Sequence, residues 1–143
     1  MKFIAAAVQM LASDDKAANL AEAERWIREA AQRGARLIVL PEVFIWRGNK
    51  KEERYSAEAI PGPSSDRLSA LARELEIYLL GGSILEEIPG SDKAYNTSLL
   101  FGPAGELLAS YRKIHLFDVD LANGVSLRES ATREYGDAVV AAK

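Results

Sequence analysis

Two short apolar runs separated by one amphipathic stretch open the chain, and this order restricts the fold more than any other feature. Residues 3–10 form an apolar run that is short enough for a buried strand. Residues 13–15 can cap a helix, apolar residues then recur every three or four positions, and Gly34 ends the helix. Residues 36–40 are predicted to form a strand that is aliphatic after Arg36, and Pro41 ends it because proline cannot donate to a sheet ladder. The pattern predicts strand, helix, strand.

A second unit of the same kind is predicted after a long polar connection. This connection covers residues 43–64 and contains at most a short helical turn near residues 50–55. Ser65 and Asp66 have the chemistry of a helix N-cap and are predicted to begin the second helix. Residues 77–84 are predicted to form the next strand, with two glycines inside it.

The rest of the chain predicts further strands and an unfinished fold. Residues 95–101 and 107–111 are predicted strands of a hairpin. Residues 118–136 are predicted to form a loop, and residues 138–142 to begin another strand. Together the elements predict an α/β protein with mixed strand pairing. The last strand would lack its neighbours within these residues, so the fold is expected to be incomplete.

Composition and charge exclude several classes of function. The 143 residues are 48% apolar and 27% charged, as expected for one folded, water-soluble domain. The formal net charge is −3 and no basic stripe is present, so no nucleic-acid partner is expected. The apolar run at residues 4–8 is too short for a signal-peptide core or a membrane span, which makes the cytoplasm the expected location and excludes a membrane partner.

The chain contains no cysteine, and this absence limits its chemistry. It excludes disulfides, thiolate metal sites and a cysteine nucleophile within these residues. His115 is the single histidine, and we expect it to be structural or exposed rather than a ligand or a catalytic base.

Two charged residues follow predicted strands, where ligands bind in open α/β sheets. Glu42 follows residues 36–40, and partial desolvation there would raise its pKa toward the useful range for a general base. Lys113 follows residues 107–111, and an ammonium group there would stabilise a developing oxyanion. For each residue the alternative is an ordinary solvated surface side chain.

Two sequence motifs strengthen the interpretation of these residues. Residues 34–42, GARLIVLPE, resemble the first catalytic motif of the nitrilase superfamily of carbon-nitrogen hydrolases, and residues 111–116, YRKIHL, resemble the second. Shorter runs are similar to strands of the same family, at residues 7–10, 81–84 and 95–98. The resemblance implies that Glu42 is the general base and acid, and that Lys113 stabilises the tetrahedral intermediate.

A third region resembles one branch of this superfamily. Residues 117–120, with Glu129 and Ser130, are similar to the branch that contains omega-amidase and deaminated-glutathione amidase. The resemblance implies that Glu129 helps to position the substrate. The family's nucleophile is a cysteine a few tens of residues after the lysine, and this chain ends first. We therefore expect residues 1–143 to be the N-terminal part of a carbon-nitrogen hydrolase domain, within an α-β-β-α sandwich.

The resemblance also implies an activity. A small amide or nitrile would be hydrolysed by Cys, Glu and Lys, without a metal or an organic cofactor. The full-length protein would be a homo-oligomer, and the 143-residue chain alone would be inactive. Two alternatives stay open. The chain could be a short binding or assembly module that keeps the first half of the fold without catalysis, or a hydrolase that uses another nucleophile.

Overall fold

The computed structural model describes residues 2–49, 52–122 and 124–142. In chain order these ranges contain β1 (Ile4–Ala7), α1 (Lys16–Gln32), β2 (Ala35–Val39), α2 (Pro63–Leu75), β3 (Tyr78–Leu80), β4 (Ile84–Glu87), β5 (Ala94–Phe101), β6 (Leu107–Arg112), β7 (Asp118–Asp120), β8 (Ser126–Arg128) and β9 (Arg133–Glu134). A 3-10 turn at Glu53–Ser56 matches part of the predicted helical turn, of which Lys50 and Lys51 lie outside the described residues. The predicted α/β class is confirmed.

Seven of the strands form one mixed sheet, and β7 and β8 form a separate hairpin. β1, β2 and β3 are parallel neighbours. β3 and β4 run antiparallel to one edge of β5, while β6 runs antiparallel and β9 parallel to its other edge. β2 and β6 therefore point the same way, and their carboxyl ends lie at the same end of the sheet.

Both helices cover the same face of this sheet. Their apolar residues pack on the sheet and on the segment after β2 in one buried core, which includes Ala23, Ile27, Ile38, Phe44, Leu68, Leu71, Leu79 and Leu99. On the opposite face Phe3 and Tyr78 are exposed. The described residues thus form one helix layer and one sheet layer. No helix in the described ranges is long and apolar enough to cross a membrane.

α2 begins earlier than predicted. The helix starts at Pro63 with Gly62 as its N-cap, so Ser65 and Asp66 lie inside the first turn rather than before it. Proline suits the first helical position because its missing N–H is not needed there. The Ser65 hydroxyl accepts a hydrogen bond from the Gly62 N–H at 2.8 Å, so this serine does cap the helix, but from within it.

The single strand predicted at residues 77–84 is two strands, β3 and β4, and the break between them shapes the candidate site. Gly82 has a φ of +52°, and a Cβ there would lie 1.9 Å from the carbonyl oxygen of Pro41. Glycine fits because it has no Cβ and adopts positive φ without strain. The N–H of Ser83 then donates to the same Pro41 carbonyl at 3.4 Å. The break therefore supports the segment that carries Glu42.

Two predictions near the end of the chain are wrong. Residues 118–136, predicted to be a loop, contain the β7–β8 hairpin and β9. These strands have two or three residues each, which is too short for an alternating pattern to stand out. Residues 138–142, predicted to begin a strand, have no regular secondary structure. A strand needs partners for its backbone groups, and no described strand pairs with these residues.

Candidate active site

A tight turn after β2 presents Glu42 at the end of the sheet. The N–H of Leu40 still donates to the Leu80 carbonyl at 2.9 Å, as in a continuing strand. Val43 then has a φ of +49°, a strained conformation for a β-branched residue. Its side chain is buried and its N–H donates to the Ser83 hydroxyl at 3.0 Å, so the surrounding structure holds the strained backbone. The backbone is therefore held in place on both sides of Glu42, which fixes the direction of its side chain.

The Glu42 carboxylate lies between a buried amide and an ammonium group. Its Oε1 accepts hydrogen bonds from Asn96 Nδ2 at 2.7 Å and from Lys113 Nζ at 3.1 Å. Burial alone would raise the pKa of Glu42, but these hydrogen bonds and the Lys113 charge outweigh it, so the pKa lies below its ordinary value. The expectation that the pKa of Glu42 lies above its ordinary value is therefore wrong. The carboxylate stays ionised and can accept a proton.

Lys113 follows β6 directly, and its backbone is held on both sides. Its N–H donates to the Asn96 carbonyl at 2.8 Å, and its carbonyl accepts from the Gly136 N–H at 2.9 Å. Nζ lies 3.1 Å from Glu42 Oε1 and 3.0 Å from Glu129 Oε2. Burial would lower the pKa of Lys113, but the hydrogen bonds to the two carboxylates raise it above its ordinary value. Glu42 and Lys113, which follow different strands, therefore converge at one end of the sheet.

Glu129 follows β8 and is the most enclosed of the three predicted residues, with 11% of its side chain exposed against 51% for Glu42. Its Oε2 accepts a hydrogen bond from the Phe117 N–H at 2.6 Å, and Arg133 donates to Oε1. Burial would raise the pKa of Glu129, but the Phe117 amide, Lys113 and Arg133 lower it below its ordinary value. The segment that carries Glu129 therefore reaches the same site as Glu42 and Lys113.

A pocket of about 310 Å³ opens beside these groups. Its lining consists of Glu42, Arg47, Glu53, Lys113, Phe117, Leu127, Glu129, Thr132 and Arg133. This volume is at the small end of ligand pockets, and the paired charges suit a small polar molecule. His115 is exposed and does not line this pocket. Within the described ranges no group of His, Cys, Asp or Glu is arranged to hold a metal ion.

Three residues that hold the site together were not predicted, namely Glu53, Asn96 and Arg133. Asn96 lies in the run at residues 95–98 that resembles a family strand, and a polar residue inside a predicted strand is the signal that could have identified it. Arg133 donates to Glu53, and these two residues lie 80 positions apart. No spacing or periodicity in the sequence connects them.

Comparison with known protein families identifies one family over almost the whole chain. The family model described as carbon-nitrogen hydrolase matches residues 4–143. The omega-amidase NIT2 of Xenopus tropicalis is 48% identical over 136 residues, which are 95% of this chain and 49% of that protein. The omega-amidase NIT2 of Homo sapiens is 47% identical over 135 residues, covering 94% of this chain and 48% of that protein. The chain thus spans about half the length of these relatives.

Solved structures agree with this comparison. The Caenorhabditis elegans NitFhit protein superposes with a TM-score of 0.84 at 29% identity, over 94% of this chain and 33% of that chain. Nit3 of Saccharomyces cerevisiae, a member of branch 10 of the nitrilase superfamily, superposes with a TM-score of 0.72 at 34% identity, over 89% of this chain and 45% of that chain. The predicted nitrilase-type fold, present in part, is confirmed.

Proposed function

Because the chain belongs to the carbon-nitrogen hydrolase family, we propose that it carries the glutamate and lysine of an amidase whose cysteine nucleophile lies outside these 143 residues. The observation that carries this proposal is the contact between Glu42 and Lys113 beside a pocket. Residues 1–143 would then be the N-terminal part of one hydrolase domain. The relatives, of about twice this length, support that division.

A cysteine nucleophile has support from a related enzyme. Structures of an amidase from Nesterenkonia sp., which is 25% identical to this chain, are described as showing covalent addition at that enzyme's active-site cysteine. In the mechanism that we propose, ionised Glu42 takes the proton of the corresponding thiol. The thiolate then attacks the amide carbon, and the carbonyl oxygen becomes an oxyanion that the Lys113 ammonium stabilises.

Glu42 then returns its proton during the same cycle. The tetrahedral intermediate collapses as the carbon–nitrogen bond breaks, and the nitrogen leaves as ammonia with the proton from Glu42. The thioester that remains is attacked by water, which Glu42 deprotonates, and the acid and the free thiol are released. In this scheme Glu129 positions substrate and holds Lys113, to which it lies at 3.0 Å.

The substrate that we propose is an omega-amide of a small acid, because the relatives are named omega-amidases and because of Arg47. Lys113 and Arg133 are both paired with pocket carboxylates, whereas Arg47 makes no ion pair with a described residue. Its Nη2 lies 3.4 Å from the backbone oxygen of Glu42. A guanidinium group in this position would bind the carboxylate of a substrate whose amide reaches Glu42.

One observation favours a second candidate function. The complete absence of cysteine from the 143 residues would also suit a binding or assembly module that keeps this half of the fold without catalysis. The first proposal also includes homo-oligomerisation of the whole protein, which the family resemblance implies, and a cytoplasmic location, which the short apolar run at residues 4–8 favours.

Release of ammonia from a small omega-amide by the whole protein tests the proposal. Glu42→Gln preserves the shape of the side chain but cannot take a proton, so turnover should fall by about 10²–10⁴-fold. Glu52→Gln, an exposed glutamate of the same connection, is the matched control and should keep full turnover. Turnover that survives Glu42→Gln, or that survives complete alkylation of thiols, would reject the Cys-Glu-Lys mechanism. A folded whole protein without any turnover would support the module.

A further inference from the structure

Arg133 bridges two buried carboxylates in the wall of the pocket. Its Nη1 donates to Glu129 Oε1, and its Nη2 donates to Glu53 Oε1. The three side chains are almost enclosed, with 9% of Arg133, 10% of Glu53 and 11% of Glu129 exposed. Charges that are so enclosed need well-formed partners, and the planar guanidinium fork supplies donors to both carboxylates at once.

Glu53 connects the loop that carries Glu42 to the segment that carries Glu129. Its Oε2 accepts a hydrogen bond from Thr132 Oγ1 at 2.9 Å, so both carboxylate oxygens are occupied. Arg133 is the first residue of β9, which pairs with β5, so its guanidinium is anchored to the sheet. The charges of Glu53 and Arg133 are therefore fixed relative to Glu129.

We propose that Glu53 and Arg133 are positioning residues that set how strongly Glu129 holds Lys113. Glu129 divides its charge between Lys113 and Arg133, while Glu53 neutralises part of the Arg133 charge from the other side. Lys113 in turn is shared between Glu129 and Glu42. These contacts form a continuous series that runs from Glu53 through Arg133, Glu129 and Lys113 to Glu42. The consequence for catalysis rests on the proposed function, whereas the coupling of the charges rests on the contacts alone.

A purely structural role of this pair leads to a different expectation. If Glu53 and Arg133 only fastened two segments together, removing either one would loosen the surroundings of Glu129. The pKa of Glu129 would then rise toward its ordinary value in both variants. Charge coupling moves it in opposite directions, because loss of the Arg133 cation raises the pKa of Glu129 and loss of the Glu53 anion lowers it.

Carboxyl ¹³C NMR titration of the 143-residue chain separates these two cases. The variants are Arg133→Met and Glu53→Gln, with Glu52→Gln as an exposed control one residue away. We expect the pKa of Glu129 to rise in Arg133→Met, to fall in Glu53→Gln and to stay at its wild-type value in the control. The pKa of Glu42 should shift in the same two directions, because Lys113 moves toward whichever carboxylate holds it more strongly.

Glu53→Gln decides the question even if Arg133→Met does not fold, since glutamine keeps the size of the side chain and an acceptor oxygen for Arg133. A Glu129 pKa that rises or stays constant in Glu53→Gln would overturn the proposal. A Glu42 pKa that stays constant in every folded variant would overturn it as well, because Lys113 would not have been repositioned. The titration does not depend on turnover. A negative titration result would therefore not contradict the proposed hydrolase activity, and a negative activity test would not contradict the titration result.

Discussion

Lys113 Nζ lies 3.1 Å from Glu42 Oε1, although 71 positions separate the two residues in the sequence. β2 ends at Val39 and β6 ends at Arg112, so each of the two charged residues follows a strand closely. The strands between them reverse direction twice, which leaves β2 and β6 pointing the same way. The contact is therefore a consequence of the sheet topology together with the buried turn at Val43.

The contact predicts how the stability of the folded chain depends on pH. In the folded state the pKa values of Glu42 and Glu129 lie below the ordinary value of 4.5, so near that pH the unfolded chain binds more protons. The stability that these carboxylates contribute is present above about pH 4.5 and is lost as the pH falls through their folded pKa values. Urea denaturation at a series of acidic pH values measures this loss.

Lys113→Met should raise both of these pKa values, because it removes the cation that both carboxylates contact, and should flatten the dependence of stability on acid pH. Lys2→Met, which removes an exposed lysine near the start of the chain, serves as the control. An acid profile of Lys113→Met that coincides with that of the wild type would show that this lysine does not hold the carboxylates ionised.

Gly82→Ala should destabilise the chain more than Gly90→Ala. Both glycines have positive φ, so alanine costs about 1–2 kcal/mol at either position. At Gly82 the new Cβ would also meet the Pro41 carbonyl at 1.9 Å, whereas nothing lies within 4 Å of a Cβ at Gly90. Chemical denaturation measures the difference. Equal losses of stability would mean that the backbone at Pro41 moves away freely and does not support Glu42.

Some of these features could be predicted from the sequence, and others could not. Glu42 and Lys113 follow apolar runs whose ends are visible in the sequence, and an α/β sheet gathers such ends. Glu129 could be identified only through resemblance to a family, because its strand has three residues. Arg133 could not be identified, since its partner lies 80 positions away and their contact depends on how the 3-10 turn at Glu53–Ser56 packs against the two-residue strand β9.

Removal of Arg133 alone should be more damaging than removal of the pair that it forms with Glu53. Arg133→Met leaves a buried carboxylate at Glu53 without its cation, which costs about 3–5 kcal/mol of the free energy of unfolding. Adding Glu53→Gln to this variant removes the uncompensated charge and should recover part of that loss. Chemical denaturation of the single and double variants measures both effects. A double variant less stable than Arg133→Met would contradict the assignment of a buried charge pair.

The 143-residue chain alone should hydrolyse neither amides nor nitriles above the rate in buffer. It contains no thiol to form a covalent intermediate, and loss of a nucleophile costs on the order of a million-fold in rate. Ammonia release from small amides and nitriles by the purified chain measures this. Turnover that disappears in Glu42→Gln but stays in Glu52→Gln would place a nucleophile inside these residues.

Arg47 should decide which amides the whole protein prefers. Arg47→Gln keeps a polar side chain but removes the cation that we propose to bind the substrate carboxylate, beside the Glu42 backbone oxygen. A hydrogen bond to a charged group contributes about 1.5–3 kcal/mol, so kcat/KM for an omega-amide that bears a carboxylate should fall by about 10–150-fold. The loss should come mainly from KM, because the carboxylate lies away from the reacting carbon. The kcat/KM for a neutral amide of the same length should be unchanged, since that substrate has no group for Arg47 to bind.

Arg36→Gln, on an exposed residue of β2 away from the pocket, controls for the general loss of positive charge. Equal losses for the charged and the neutral amide would show that Arg47 supports the loop rather than the substrate, and would remove the structural basis for an omega-amide.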